Sequence, residues 1–478
     1  MRRLFHKFAA LPALALPALI WLTLAFSPAQ AIDIQEVVSP EGVIAWLVED
    51  HTVPLVAIEF EFAGGASSDP SGKDGLSYLA SGLLNEGAAD MDAEAYQTRL
   101  DELAIQMSFD ASQDHLHGSM KTLREHAEEA FELLGMALAE PRFDEDAIER
   151  VRQQILSIQR REKERPRTVA ARAWMEAVFE DHVYARNRKG TAESMAGLTR
   201  DDLTAYVRDH FAHDNLIIGV VGDITAEELG ELLDLAFADL PEEADLPSVG
   251  MAPIKLGTEI EIIERNIPQS SVMFGTRGIS RSDPDWYAAL VMNYVLGGGG
   301  FSSRLMEEVR RKRGLAYGVS TALSPRQHAG LFIGSVATQN SRVAESIEVI
   351  RAELARMASD GLTDEELTNA KTYLTGSYAL RFDTSDAIAG QLVGVQRYSL
   401  GMNYIDRRNS YIEAITLAQV NRVAQRLLAE HDFFWVVVGK PEGLGEEEPE
   451  PAPTDIEAEA NETQVETPAE KQAGEPES

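Results

Sequence analysis

The stretches VIAWLVED and PLVAIEFEFAGG, beginning at Val43 and Pro54, alternate apolar and polar positions and are rich in branched and aromatic side chains. Both therefore read as β-strands. GLSYLASGLLNEG (75–87) changes period: Leu76, Leu79, Leu83 and Leu84 recur at helical spacing and predict a helix with one apolar face. Gly82 falls within that pattern, where it would cost about 1 kcal/mol relative to alanine. Tyr78, Ser81 and Gly82 share the stripe beside the leucines. A second helix is predicted around 93–103, then two strands within IQMSFDASQDHLHGSMKTL. Long amphipathic helices follow over roughly 122–139 and 143–164, the latter ended by Pro166, and more helix reaches about 212. NLIIGVVGDI (215–224) is a buried-strand pattern, and a helix is expected from Thr225 to about Asp239.

The order then restarts. TEIEIIER and SSVMFGTRG read as strands, PDWYAALVMNYVLGGGG as a helix running into four glycines, and SSRLMEEVRRKR as a short helix. Two strands are expected around 317–323 and 331–337, long helices follow, and FFWVVVGKP closes this half as NLIIGVVGDI closes the first. The succession predicts an internal repeat of roughly 200 residues: two tandem α+β domains, each a mixed, mainly antiparallel sheet flanked by long helices. The expected boundaries are a first domain over 32–243, a Pro- and acid-rich linker over 244–256, and a second domain over 257–441. Residues 442–478 are Glu, Pro, Ala and Thr with hardly an apolar side chain, and are expected to be disordered.

Composition sharpens this picture at both ends. MRRLFHK is a basic segment, the apolar run after it is interrupted by prolines, and Ala29 and Ala31 offer an A-x-A-type cleavage site. Residues 1–31 are thus expected to be a signal peptide cleaved after Ala31, and the mature chain to be exported, to a bacterial periplasm. The apolar run is short for an uncleaved anchor. With 43 basic against 78 acidic residues, the formal net charge is −35, which argues against nucleic acid and anionic membrane as partners. The chain has no cysteine, which excludes disulfides, Cys-ligated metals and thiol nucleophiles.

The densest local signal is YVLGGGGFSSRLMEEVRRKRGLAYGVSTAL (294–323). Gly297, Gly298, Gly299 and Gly300 permit a turn and a close backbone approach. As a phosphate loop the run fails, because it follows a helix and lacks the Lys-Ser/Thr pair. Ser302 or Ser303 is placed to cap the next helix, whose last turn holds Arg310, Arg311, Lys312 and Arg313 before Gly314. Cations at a helix C-terminus and glycine just beyond it also have an ordinary structural explanation. His115 and His117 lie at i and i+2 on a predicted strand and share a face. With Asp110 or Asp114 they could hold a metal, although partly exposed strand residues would look the same. No G-x-S-x-G nucleophile elbow occurs.

LGGGGFSSRLMEEVR followed by RGLAYGV resembles the second-half signature of the pitrilysin/insulinase family of zinc peptidases, which includes the mitochondrial processing peptidases. GTAESMAGLTRDDLTAYVRDHF and NLIIGVVGDI are similar to its first half, so the likeness covers nearly all of 35–441. The resemblance implies that Arg310 and Tyr317 face a zinc ion, Tyr317 donating to the oxyanion formed on the scissile carbonyl and Arg310 holding substrate carbonyls. It also implies that Gly297–Gly300 border the substrate chamber. Active members carry H-x-x-E-H on a first-half helix; the matching positions here are Tyr78, Ser81 and Gly82. The third family ligand falls in QQILSIQRRE, at Ser157 or Ile158, with Glu162 close by. The implied protein binds no metal itself. It would serve as the zinc-less subunit of a heterodimer whose H-x-x-E-H partner carries the zinc, the two closing as a clam around an unfolded peptide. A non-catalytic peptide-binding or assembly module is the alternative, and an autonomous zinc peptidase with atypical ligands a second one.

Overall fold

The alternating segments assemble into two sheets of matching topology. The computed structural model describes residues 32–257, 260–429 and 432–444. The expected signal peptide and all but the first three residues of the expected acidic tail lie outside this range. In the first half, β1 (Gln35–Val38), β2 (Ile44–Glu49), β3 (Leu55–Ala63), β4 (Gln106–Ala111), β5 (His115–Leu123) and β6 (Leu216–Gly222) form a sheet of order β1-β2-β6-β3-β5-β4. In the second, β7 (Ile260–Glu264), β8 (Gln269–Arg277), β9 (Ala316–Pro325), β10 (Gly330–Gln339) and β11 (Phe434–Gly439) take the order β7-β11-β8-β10-β9. Apart from β1 the two orders correspond strand for strand. Each sheet holds one parallel pair, β2–β6 and β7–β11, and is otherwise antiparallel.

The repeat extends to single residues. Phe60 pairs across the sheet with Gly118, and Phe274 with Gly334. In both places the ring lies on the glycine, and an added Cβ would fall 2.1 and 2.2 Å from it. The glycines make room for a buried aromatic at the same position of each sheet.

Each half lends a helix to the other. Helix Pro166–Phe179, started by a first-turn proline, packs on β8 and β11 through Ala170, Trp174 and Val178. The indole of Trp174 is fully buried and donates to the Phe434 carbonyl at 3.1 Å. Reciprocally, helix Ser385–Arg397 packs on β3 and β6, burying Ala389, Leu392 and Val395, while Gln396 donates to the Ile218 carbonyl at 2.8 Å. Arg397 then pairs with Glu61 on β3 through two hydrogen bonds. The second-half core runs on to Leu444, three residues beyond the predicted end, and Glu442 donates its backbone N–H to the Asn340 carbonyl at 3.0 Å.

Candidate functional site

Helix Trp286–Asn293 loosens into a wide turn, Tyr294–Gly298, before the chain reverses at Gly300 with φ +56°. A Cβ on Gly297 would lie 2.4 Å from the Thr321 hydroxyl oxygen on β9, so this glycine lets the turn lie on the strand. Thr321 donates to Asn293 at 2.8 Å and fixes the contact. Ser303, one of the two predicted caps, accepts from the Met306 N–H at 3.4 Å and donates to the Gly300 carbonyl at 2.8 Å. Gly297–Gly299 are therefore packing positions, whereas Gly300 lines a groove of about 610 Å³ over β8, β9 and β10.

The segment Met306–Lys312 carries the basic cluster and is wound wider than an α-helix, a geometry frequent at functional sites. Arg311 pairs with Glu307 at 2.7 Å, while Lys312 and Arg313 pair with Glu308 at 2.7 and 2.6 Å and hold its carboxyl below the usual range. Among the described residues Arg310 alone of the four has no acidic partner. Its guanidinium sits instead between two aromatic rings, 4.7 Å from the Phe301 centroid and 4.7 Å from that of Tyr317. Both rings are open to solvent, Phe301 at 68% and Tyr317 at 85%. Tyr317 lies on β9, an edge strand with unpaired backbone groups along one side. Arg310 and Tyr317, seven residues apart in sequence, are thus neighbours on an exposed edge. Phe301 is the third member of the stack, and its position beside the glycine run gave no sign of it.

In the first half the predicted helix is shorter than its leucine pattern. It spans Leu76–Ser81, begins at Gly75 in the left-handed region (φ +91°), and is anchored by buried Asp69, which accepts the N–H groups of Gly75 and Ser77 at 2.7 and 2.9 Å. Gly82 follows the last turn and donates to the Tyr78 carbonyl at 3.3 Å, so the mid-helix penalty expected for it does not arise. Leu83 and Leu84 stay buried in the turn beyond. The glycine serves space rather than conformation: a Cβ there would lie 3.1 Å from the Val151 side chain.

The residues at this site do not fit zinc. Ser81 spends its hydroxyl on the Tyr78 carbonyl at 3.0 Å, and Gly82 offers no donor. The Tyr78 ring is faced by two cations, Arg188 at 5.4 Å and Lys189 at 5.6 Å. Lys189 is in turn ion-paired with Glu162 on helix Glu145–Lys163, the carboxylate nearest the expected third ligand. Gln159 on the same helix holds the loop by donating to the Lys189 carbonyl at 2.7 Å. Ser157 accepts from Arg161 at 3.1 Å. A lysine thus stands among the positions that correspond to the family's metal ligands. It lies about a hundred residues from Tyr78 in sequence, which is why the helix alone did not disclose it.

His117 and both candidate aspartates have other partners. His117 bonds Glu59 at 2.7 Å and lies 3.5 Å from Glu61, and these carboxylates raise its pKa to about 9. Asp114 accepts from the Tyr184 hydroxyl at 2.7 Å, and Asp110 faces Arg188 at 3.3 Å. Among the described residues no group of three or more His, Asp or Glu side chains converges as a metal site. His182 is structural, with one ring nitrogen 3.1 Å from the Gly250 carbonyl and the other accepting from the Tyr184 N–H.

Residues 45–192 match the family model for insulinase, peptidase family M16, and residues 197–374 match the one described as the peptidase M16 inactive domain. The chain is 26% identical to the non-peptidase homolog YmxG of Helicobacter pylori over 82% of its own length and 90% of that protein's. It is 25% identical to a probable mitochondrial-processing peptidase subunit beta of Schizosaccharomyces pombe, over 80% and 85%. A crystal structure of a peptidase M16 inactive domain from Pseudomonas fluorescens superposes with a TM-score of 0.81 at 29% identity, covering 87% of this chain and 99% of that one. Matched over both halves, the chain belongs to peptidase family M16, the insulinase family, as a zinc-less, peptidase-like member.

Proposed function

We propose that this chain is the non-zinc subunit of a heterodimeric metallopeptidase and presents Arg310 and Tyr317 to the zinc site of an H-x-x-E-H partner. The observation that carries this reading is the exposed stack itself. Arg310 is left out of the ion pairs that absorb Arg311, Lys312 and Arg313, and it lies against a tyrosine that is 85% exposed. In the closed dimer the Tyr317 hydroxyl would donate to the oxyanion forming on the scissile carbonyl, and the partner's zinc would supply the activation of the attacking water. Arg310 binds neighbouring substrate carbonyls. An unfolded peptide adds as a strand to a free sheet edge, so main-chain hydrogen bonds supply affinity with little demand on sequence. The leader-like composition of residues 1–31 supports export to the periplasm. No described helix is long and apolar enough to cross a membrane.

The second reading is a peptide-binding or assembly module without a part in catalysis, favoured by the likeness to a protein named a non-peptidase homolog. Co-purification from the native source, followed by peptide hydrolysis assays of the complex with Tyr317→Phe and Arg310→Ala, separates the two. Loss of turnover with assembly intact supports catalysis in trans. Unchanged turnover supports the module.

A further inference from the structure

Two arginines at the junction of the halves have cations to spare. A cleft of about 800 Å³ opens between the end of the first sheet and the second-half loops, lined in part by Gln113, Asn215, Arg281, Ser324, Arg326 and Arg397. The carboxylates beside it are committed. Glu61 is taken by Arg397 and His117, and Asp114 accepts from the Tyr184 hydroxyl and, at 3.2 Å, the Gln327 N–H. Asp283 and Asp285 bind Arg422 and Arg426. Among the described residues, neither Arg281 nor Arg326 has a carboxylate at ion-pair distance, in a chain where acidic residues outnumber basic ones by 78 to 43.

Both guanidinium groups are nevertheless fixed. Arg281 lies 4.9 Å from the Trp286 ring centre and 5.4 Å from that of Tyr287, and it donates to the Tyr404 and Tyr287 hydroxyls at 2.9 and 3.3 Å. These contacts leave donors of its planar fork unused. Arg326 stacks 5.2 Å from the Tyr184 ring, and its Nε is shut off from solvent without a hydrogen-bond partner. It sits in the β9–β10 hairpin, which Tyr184 and Asp114 of the first half pin through the N–H groups of His328 and Gln327. A cleft at a domain junction with a few fixed polar and charged groups is a common setting of a ligand site. Arginine forks suit a planar carboxylate, which they bind through paired hydrogen bonds.

We infer that this cleft is a carboxylate-binding site, in which Arg281 and Arg326 hold the terminal carboxylate of a peptide across the two halves. The assignment rests on the peptide-binding part of the proposed function but not on catalysis, and its test needs no partner. Gln113 and Ser324 line the same cleft and offer donors and acceptors to the main chain of such a ligand, whereas the Asn215 amide is spent on the carbonyls of Ala63 and His210.

The test is isothermal titration calorimetry of the full chain, alone, with an N-acetylated pentapeptide of uncharged side chains ending in a free carboxylate and with the same peptide amidated. Parallel titrations use Arg326→Gln and Arg281→Gln, with circular dichroism confirming that each variant folds. Binding of the free acid, with a loss of at least tenfold on amidation and in either variant, is expected. Should a variant fail to fold, the acid-versus-amide comparison on the unmodified chain decides alone. Equal binding of acid and amide, or binding of neither, would overturn the site, while a failure of catalysis in the dimer would leave it standing. Inorganic phosphate binding as tightly as the free acid would overturn the assignment to a peptide carboxylate.

Discussion

Replacing Lys189 by methionine tests the lysine-filled site directly. The Lys189 and Glu162 side chains are 13% and 24% exposed, between a surface pair and a fully buried one. Exposed pairs contribute about 0–1 kcal/mol, and breaking a fully buried pair costs about 3–5 kcal/mol. At this depth Lys189→Met should cost about 2 kcal/mol, most of it from the carboxylate left without its cation, with up to about 1 kcal/mol more from the lost contact with the Tyr78 ring. Glu162→Gln should also destabilise, because it strands the ammonium. The double variant removes both charges and should recover about 1–2 kcal/mol relative to the sum of the singles. Urea denaturation followed by circular dichroism measures all four proteins, with the shift in midpoint converted through the slope. A coupling energy below about 0.3 kcal/mol would refute the reasoning, since that is the additivity expected of groups that do not interact. Zinc analysis of Lys189→Met adds a second reading: the variant should stay metal-free, because Tyr78, Ser81 and Gly82 still supply no ligand set.

Other outcomes follow from the same contacts. Gly297→Ala puts a methyl group 2.4 Å from the Thr321 hydroxyl oxygen and should destabilise by about 1–3 kcal/mol in thermal unfolding, whereas Gly314→Ala has open space and pays only for its left-handed backbone. Trp174→Ala removes the largest side chain buried between the halves, so a loss of about 3–5 kcal/mol and faster proteolysis around residues 244–256 are expected. His117 is held protonated to about pH 9 by Glu59 and Glu61. Because its folded pKa lies above the unfolded one, its contribution to stability is complete below about pH 6.5 and fades as pH rises toward 9. An imidazole titration by NMR with a midpoint below 7 would contradict that arrangement.

The two-domain repeat was legible because it rests on local period and on order. Alternation marked β3, β8 and most other strands, and the matched endings NLIIGVVGDI and FFWVVVGKP became β6 and β11, which occupy equivalent places in their sheets. The exchange of helices 166–179 and 385–397 was hidden, since periodicity shows that a helix has an apolar face and not which sheet receives it. Helix 76–81 was overread for a related reason: Leu83 and Leu84 are buried in a turn at positions that also satisfy helical spacing. Arg310 and Tyr317 came from a sequence signature, but the reason Arg310 differs from its three basic neighbours is a set of ion pairs visible only in three dimensions. Lys189 and Arg281 carried no signal at all, because what distinguishes them is their partners, or the lack of acidic ones.

The central claim is that this chain lacks a zinc site and lends Arg310 and Tyr317 to one held elsewhere. Its most direct test is peptide hydrolysis by the purified chain with added zinc, alone and after reconstitution with an H-x-x-E-H partner from the same source. The account predicts no turnover alone, turnover in the complex, and a loss of about 100-fold in kcat on Tyr317→Phe, the cost of one oxyanion donor. Near-stoichiometric zinc and turnover in the chain alone, or a complex indifferent to Tyr317→Phe, would contradict it.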